Sequence, residues 1–514
     1  MQVKTRIQAI TIEEKVKFRD FVNCLLACMI LNATVLLPII LSAPLYLDDY
    51  GRAINGTFGW KYDARPATDI LFFTLSGGSR LVAASPFYQI LSLILISIAC
   101  ALAAQTYQIR SRWLAAMATL PMMAQPYYLA NLSFGFDSAS MSLAQLLAIS
   151  ASILIVRLGS MVSLLASFAC LTMSLFLYQA SASSYLVFGT LLILACAIGI
   201  TPNQCTSSLI RVFGRFIGCY LLAMAIAACY VRFAWNSRSE YASAASKLLE
   251  PSHTFFPSLV NHATKYLKTY MHDWATSPLL PTVALIAIIV IALQLRKPKQ
   301  AILISSAYIV TLIAAPGASL LLASPQDQLP RTLVFIGPLL ASFSLHLTSS
   351  LARLQPKWLP TTSLGLLPLG VLAWVMVSFA YSYGHAMRAQ EEFTQNYVNR
   401  LITSASSLTT PGTQLSQLRG ISYTGGIPRS LVLQNSTKKF PLIDRLVVRL
   451  VANNNDIGAL IMAYHGLPLL KPIEPMPVDL TAASCTQSKI PTLCSSDSIV
   501  QIKDGILRIR FIST

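Results

Sequence analysis

Residues 47–66 read LDDYGRAINGTFGWKYDARP, and the groups in this stretch could do chemistry together. Two adjacent carboxylates, Asp48 and Asp49, precede Arg52 by three to four residues, close enough to share a helical face. Trp60 and the pair Arg65-Pro66 follow. Adjacent carboxylates repel each other, and burial raises the pKa of at least one. A carboxylate so placed can take a proton from a hydroxyl as a general base. A guanidinium can clamp a phosphate through paired donors, and an aromatic face can stack on a sugar ring. Acid, arginine and aromatic together suit a sugar linked to a lipid phosphate. The bland alternative is a capped interfacial helix, with Asp48 and Asp49 paired to Arg52 and Trp60 an interface anchor.

The elements that must position this loop are membrane spans. The chain has 514 residues, 54% hydrophobic and 11% charged, with mean hydropathy +0.60; soluble domains carry about 25% charged residues. A span needs about 20 apolar residues to cross roughly 30 Å of hydrocarbon. Such stretches predict spans near 21–41, 86–106, 114–130, 138–156, 160–178, 184–200, 216–235, 277–295, 301–323, 332–350 and 360–381, about eleven in all. The first is longer than a signal-peptide core and lacks a small-x-small cleavage site, so it is expected to be retained. Residues 68–84, which contain Gly77-Gly78, read as a re-entrant or interfacial piece.

Basic residues set the orientation. Lys4, Arg6, Lys15, Lys17 and Arg19, then Arg110, Arg112, Arg157, Arg211, Arg215, Arg296, Lys297, Lys299, Arg353 and Lys357, alternate with the spans as expected for a cytoplasmic N-terminus. The acids between 21 and 381 (Asp48, Asp49, Asp63, Asp69, Asp137, Glu240, Glu250, Asp273 and Asp327) all fall on the other side. The chain then divides into a cytoplasmic N-terminus (1–20), a membrane module (21–381) with external loops 42–85 and 236–276, and an external C-terminal α/β domain (382–514). A net charge of +18 reads here as topology signals and headgroup contacts. Nucleic acid is not expected, because there is no Gly-rich phosphate loop, zinc-finger spacing or aromatic/basic RNA motif.

Within 236–276, Phe256, Leu259, Val260, Ala263, Tyr266, Leu267 and Tyr270 recur at helical spacing and predict an interfacial amphipathic helix. His253, His262 and His272 lie nine and ten apart, which does not suit a metal site on one helix. His346 reads as a hydrogen-bonded structural group. The tail begins with a helix near 386–405, and 498–512 reads as a hairpin turning at Asp504-Gly505. Lys439, Arg445 and Arg449 read as solvated charge. Cys485 and Cys494, nine apart in the polar tail, are expected to form a disulfide in an oxidising compartment.

The loop resembles the phage-type, serotype-converting O-antigen glucosyltransferases, integral-membrane glycosyltransferases of the GT-C class. Those carry a DDxxR motif after the first span, then G-x3-W and G-R-P. The matching residues are Asp48-Asp49-Tyr50-Gly51-Arg52, Gly56 to Trp60, and Ala64-Arg65-Pro66, with Asn131-Leu132-Ser133 and Asp137 in the second external loop. Ala64 departs from the family's glycine. The motifs cover only 47–80 and 131–137; the many spans and external tail match by architecture.

The resemblance implies a GT-C-like polytopic helical fold in the bacterial inner membrane. The transferase would act on the periplasmic face, moving glucose from undecaprenyl-phosphate-linked glucose to the O-antigen of lipopolysaccharide. Membrane proteins that make and flip the donor are implied partners. Asp48 or Asp49 would be the base; Arg52 and Arg65 would bind the donor phosphate or hold the carboxylates. Asp137 would be a second acid lining the cavity, and Trp60 a sugar platform. Arg331, after Pro330, is a phosphate-binding candidate on position, and otherwise a snorkelling interfacial arginine. No cofactor is expected, and a divalent metal beside Asp48 and Asp49 is not required, because an arginine can stabilise the leaving phosphate. The rivals are a flippase or transporter of lipid-linked sugars, which predicts charge deep in the spans, and an O-antigen polymerase.

Overall fold

The computed structural model describes residues 2–512 except 43–44, 158–159, 202–207, 235–242, 244–245, 296, 325–328, 355–360, 410–413, 450, 453 and 474–491. Glu240, Asp327 and Cys485 lie outside the described residues.

The chain is mostly helical, and its apolar runs form the helices. Among the described residues, six helices are long and apolar enough to cross a membrane: Phe18–Ile40, Phe87–Thr106, Ser138–Arg157, Gln179–Ala197, Leu209–Phe233 and Leu367–Ser407. A seventh is possible if Phe255–Trp274 and Leu279–Leu293, bent by 113°, count together. The expected number of about eleven is not confirmed. The stretch 114–130 breaks at its prolines into Arg112–Thr119, Pro121–Ala124 and Tyr128–Ser133, because proline removes a helical hydrogen bond and clashes with the preceding turn. Met161–Leu177 and Pro298–Ala314 are apolar but only 17 residues each. Ile336–Leu354 buries Ser342, Ser344, His346 and Thr348. His346 lies between two phenols, Tyr107 Oη at 3.1 Å and Tyr308 Oη at 2.8 Å, so it is hydrogen-bonded structure.

The helix Thr361–Ser407 runs unbroken from an apolar first half into the C-terminal module. There four strands, β1 (Gly420–Thr424), β2 (Thr492–Cys494), β3 (Ser498–Lys503) and β4 (Ile506–Phe511), form a mixed sheet in the order β1-β4-β3-β2. β1 and β4 are parallel; the other pairs are antiparallel. The β3–β4 hairpin turns at Asp504 (φ 55°) and Gly505 (φ 73°), the left-handed pair that a tight hairpin needs. Tyr397 of the long helix donates its hydroxyl to the Asp497 carbonyl at 2.7 Å and packs near Phe511. Cys494 is disulfide-bonded.

Two apolar cores divide the molecule. One lies among the spans. The other joins the first loop to the C-terminal module: Trp60, Phe72, Tyr88 and Phe136 belong to the same cluster as Tyr397, Ile421, Tyr423, Val500 and Phe511. The loop and the tail therefore fold as one body.

The amphipathic helix Phe255–Trp274 is present. Its predicted stripe splits in two: Tyr266 and Tyr270 are buried, while Phe256 and Val260 face outward. His262 Nδ1 sits 3.0 Å from the Leu320 carbonyl oxygen. At the elbow, the buried Asp273 accepts from Tyr127 Oη (2.9 Å) and pairs with Arg445 Nη1 (2.6 Å). Arg445 is thus not solvated charge, as its sequence context suggested; it docks the C-terminal module on the elbow. Breaking a buried ion pair leaves one charge uncompensated. Arg445→Leu should lower stability by about 3 kcal/mol, since Arg445 is itself partly exposed. Asp273→Asn added to it should recover part of the loss. Thermal unfolding of the detergent-solubilised chain tests this, and a midpoint unmoved by Arg445→Leu would show that the pair does not hold the module.

Candidate active site

The chain leaves the first span and, after Leu47 at φ 52°, enters a short helix, Asp49–Asn55. Successive helical residues point about 100° apart, so the two acids separate. Asp49 is fully buried. Its Oδ2 accepts from the backbone N–H of Tyr46 (3.0 Å) and Gly135 (2.6 Å), and its Oδ1 from that of Phe136 (3.4 Å). It staples the loop to the turn before Ser138–Arg157. Asp48 stays 44% exposed, with Arg52 Nη1 3.8 Å from its Oδ2.

Gly56 ends the helix at φ 64°, and its carbonyl accepts from Leu81 N at 3.0 Å. A Cβ there would meet the Arg80 side chain at 2.9 Å, so the glycine is required. Asp69 then organises the next turn: its carboxylate accepts the N–H groups of Gly59, Trp60 and Lys61. This sets Trp60, stacked on Phe72 at 4.5 Å between ring centroids and fully buried. Ala64 follows at φ 58° and Pro66 begins the helix Pro66–Leu75.

These turns converge on Asp137. Its Oδ1 accepts from Trp60 Nε1 at 2.6 Å, and its Oδ2 pairs with Arg65 Nη1 at 3.0 Å. Arg65 also donates to the Leu177 carbonyl (2.8 Å) and to Ser140 Oγ (3.1 Å). Arg52 Nη1 lies 3.8 Å from Asp137 Oδ1, and the guanidinium sits over the Trp60 ring at 4.4 Å. That Nη1 is buried and makes no hydrogen bond among the described residues. It faces carboxylates on two sides, Asp48 and Asp137, at the same distance.

The two buried acids are driven apart. Burial first, then the charge of Asp137, push the Asp49 carboxyl well above the usual range, against its backbone N–H partners and Arg52. Burial would raise Asp137 too, but the Arg52 and Arg65 guanidiniums and the bonds from Arg65 and Trp60 outweigh it and hold it below the usual range. Their environments shift the two acids in opposite directions: Asp137 is held low among arginines, and Asp49, pushed up by burial, is the staple.

The structure brings Asp48, Asp49, Arg52, Trp60, Arg65 and Asp137 together. Trp60 does not offer an open face; its ring is packed, and its indole N–H holds Asp137. Arg331 approaches from another side. Its carbonyl accepts from Tyr178 Oη (2.6 Å) and Asn131 Nδ2 (3.2 Å), and its guanidinium lies over Phe134 at 5.6 Å. Cys494, at the edge of the sheet, is no part of this cluster. Asp69, Tyr46 and Ser140 were not singled out by sequence. Asp69 carried a signal, an acid three residues after a helix-starting proline, but its partners lie earlier in the chain. Among the described residues, no group of three or more His, Cys, Asp or Glu side chains could hold a metal ion.

A family model described as glucosyl transferase GtrII matches residues 37–348, more than half the chain and all of this cluster. The chain belongs to the GtrII glucosyl transferase family. The GtrII-family chain is also similar to an uncharacterized 55.3 kDa protein in the gtrB 5′ region of Salmonella phage P22. The two are 22% identical over 239 residues, 45% of this chain and 47% of the relative. The chain thus spans about half the length of that curated relative. No solved structure matches the chain.

Two measurements probe the geometry. A non-glycine residue in the left-handed region costs about 1–2 kcal/mol, partly offset by the roughly 0.5–1 kcal/mol that glycine's freedom adds to the unfolded chain. Ala64→Gly should therefore stabilise by up to about 1 kcal/mol, read as a higher thermal midpoint; a lower one would mean that the Ala64 methyl contributes more than the backbone strain removes. Asp137, with its carboxyl held low, contributes stability above the unfolded aspartate pKa of about 4, and this is lost as pH falls through the folded value. Asp49 acts in the opposite sense: with its folded carboxyl raised, stability falls as pH rises above about 4. Acid titration of the thermal midpoint should be shallower below pH ~4 in Asp137→Asn than in wild type. Identical acid limbs would refute the charge assignment.

Proposed function

We propose that the chain transfers a glucosyl residue from a polyprenyl-phosphate-linked donor to lipopolysaccharide O-antigen on the periplasmic face of the bacterial inner membrane. Asp48 is the base, Arg52 the phosphate partner. The observation that carries this is the buried Nη1 of Arg52, which makes no hydrogen bond among the described residues and lies 3.8 Å from both the exposed acid Asp48 and the buried Asp137, in a chain of the glucosyl transferase family.

In the transfer, the Asp48 carboxylate takes the proton of an acceptor hydroxyl. The hydroxyl oxygen forms a bond to the anomeric carbon of glucose. The bond from that carbon to the phosphate oxygen breaks, and its electron pair leaves with the polyprenyl phosphate. Arg52 donates to that phosphate as its charge grows, a preorganised electrostatic role. Asp137 fixes Arg52, and Arg65 and Trp60 fix Asp137. Attack from the face opposite the leaving phosphate gives inversion at the anomeric carbon.

The sidedness is supported by the meeting of the predicted external parts. The C-terminal module touches both the first loop and the Asp273 elbow, and the first loop touches the turn at 134–137. Segments on opposite sides of a bilayer could not. With the basic residues of the intervening loops predicted on the other side, the N-terminus is cytoplasmic and the module periplasmic.

The test is mass spectrometry of O-antigen from cells that make the lipid-linked donor and carry either wild type or a variant. Wild type should add one hexose per repeat. Asp48→Asn should abolish the addition with the thermal midpoint of the purified chain held. Asp49→Asn leaves a buried N–H without its acceptor, which costs about 1–3 kcal/mol, so it should lower that midpoint. Full hexose addition by a correctly inserted Asp48→Asn chain would remove Asp48 from the mechanism. No addition by wild type, with expression and donor confirmed, would turn attention to flippase and polymerase activities.

A further inference from the structure

A partly open cavity lies on the other side of the Asp49–Asn55 helix from the Asp137 cluster. Leu45, Tyr46, Leu47 and Tyr50 of the first loop form one wall; Met387, Gln390, Glu391 and Thr394 of the long helix, and Ile427, Val447, Val448, Arg449, Val451 and Ile461 of the C-terminal module, form the rest. Tyr50 directly follows Asp49, so the cavity begins within one helical turn of Asp48. The first-loop wall falls inside the stretch matched by the family model, and the other wall beyond it.

The surroundings select the occupant. None of the spans Phe87–Thr106, Ser138–Arg157, Gln179–Ala197 and Leu209–Phe233 contributes to the lining. The long helix contributes only a stretch that carries Arg388, Glu391 and Glu392, which places it outside the hydrocarbon. A lipid tail has no path here. The polar lining is also wrong for a phosphate. Glu391 accepts from Tyr50 Oη at 3.1–3.2 Å and keeps capacity for further donors. His465 Nε2 is 3.3 Å from Glu391 Oε1 but not in hydrogen-bond geometry, so it does not use up the carboxylate. A fixed carboxylate repels an anion and accepts well from hydroxyls. Arg449 is exposed at the rim and offers donors, while Gln390 is committed to Ser430 N and the Pro428 carbonyl. Apolar walls with a few placed polar groups, a carboxylate among them, fit a neutral, polyhydroxylated ring with apolar C–H faces.

We propose that this cavity is the acceptor subsite: it holds a saccharide segment through Glu391, Tyr50 and Arg449. The inference rests on the glucosyl-transfer reading, and it locates the acceptor on the side of the loop helix away from Asp137.

Two readouts on the full-length chain separate this inference from the reading beneath it. The first is saturation-transfer difference NMR of the detergent-solubilised chain with a panel of delipidated O-antigen polysaccharides. The second is incorporation of labelled hexose from polyprenyl-phosphate glucose into lipopolysaccharide in membranes, at varied acceptor and donor. Glu391→Gln keeps the side-chain shape and an acceptor for Tyr50, and Arg449→Ala removes an exposed group, so both should fold. Each should weaken saccharide binding and raise the acceptor KM about tenfold, with a much smaller effect on the donor KM. Binding and acceptor KM equal to wild type in both variants, or no polysaccharide signal with wild type, overturns the subsite. Saccharide binding that needs Glu391, with no hexose transfer by wild type, would instead uphold the cavity and refute the transfer reading.

Discussion

A carboxylate taken wholly out of water costs several kcal/mol unless charge and hydrogen bonds replace the solvent. Asp137 is such a group, and most of the site can be understood as its compensation. Trp60 and Arg65 bond it directly, and Arg52 stands 3.8 Å away. These three come from one loop, while Asp137 lies just before a span, so the charge ties loop to membrane module. Compensation propagates outward: Asp69 holds the turn that aims Trp60, and Leu177 and Ser140 hold Arg65. Arg52 is the member whose bonding is left incomplete. It is fixed in place by charge and by the Trp60 ring, with donor capacity to spare.

A loop of this kind would be mobile if only the spans held it. It is held as well by the C-terminal module, with which it shares an apolar core. Tyr46 donates its hydroxyl to the Leu446 carbonyl at 2.6 Å, exactly 400 residues along the chain, and Tyr50 donates to Glu391. The elbow at Asp273 is bound to the same module through Arg445, and Thr276 donates to the Lys439 carbonyl. The module therefore acts as a clamp over the membrane face on which the acids gather, and a cavity forms where clamp and loop do not quite meet.

Much of this was legible in the sequence, for identifiable reasons. The residues of the cluster could be read because charged groups are rare in an apolar chain and these recur at short spacing. The hairpin at Asp504-Gly505 could be read because its turn needs left-handed residues and its strands alternate. What could not be read was anything set by distant pairing. Arg445 looked like surface charge because its partner, Asp273, is 172 residues away. Trp60 suggested a sugar platform because its type says nothing of whether its faces are covered; Phe72 and Arg52 cover them. The count of about eleven spans is not confirmed; at one of them hydropathy ignores where prolines fall, and Pro121 and Pro126 divide the apolar run into three pieces.

The choice between Asp48 and Asp49 shows how far local physics reaches once the fold is known. The sequence leaves them equivalent: same type, adjacent, both near Arg52. Helical phase breaks the equivalence, since neighbours on a helix cannot face the same way. One must turn toward the Phe134–Asp137 turn and the other toward solvent. The inward acid meets free backbone N–H groups and becomes a staple, its carboxyl pushed up by burial and by Asp137. The outward acid keeps access to water and to Arg52. A paired-acid motif of this form thus splits into one exposed acid and one buried acid. Its second acid holds the helix that carries the first, and the same helical turn then carries Tyr50 to the cavity beyond.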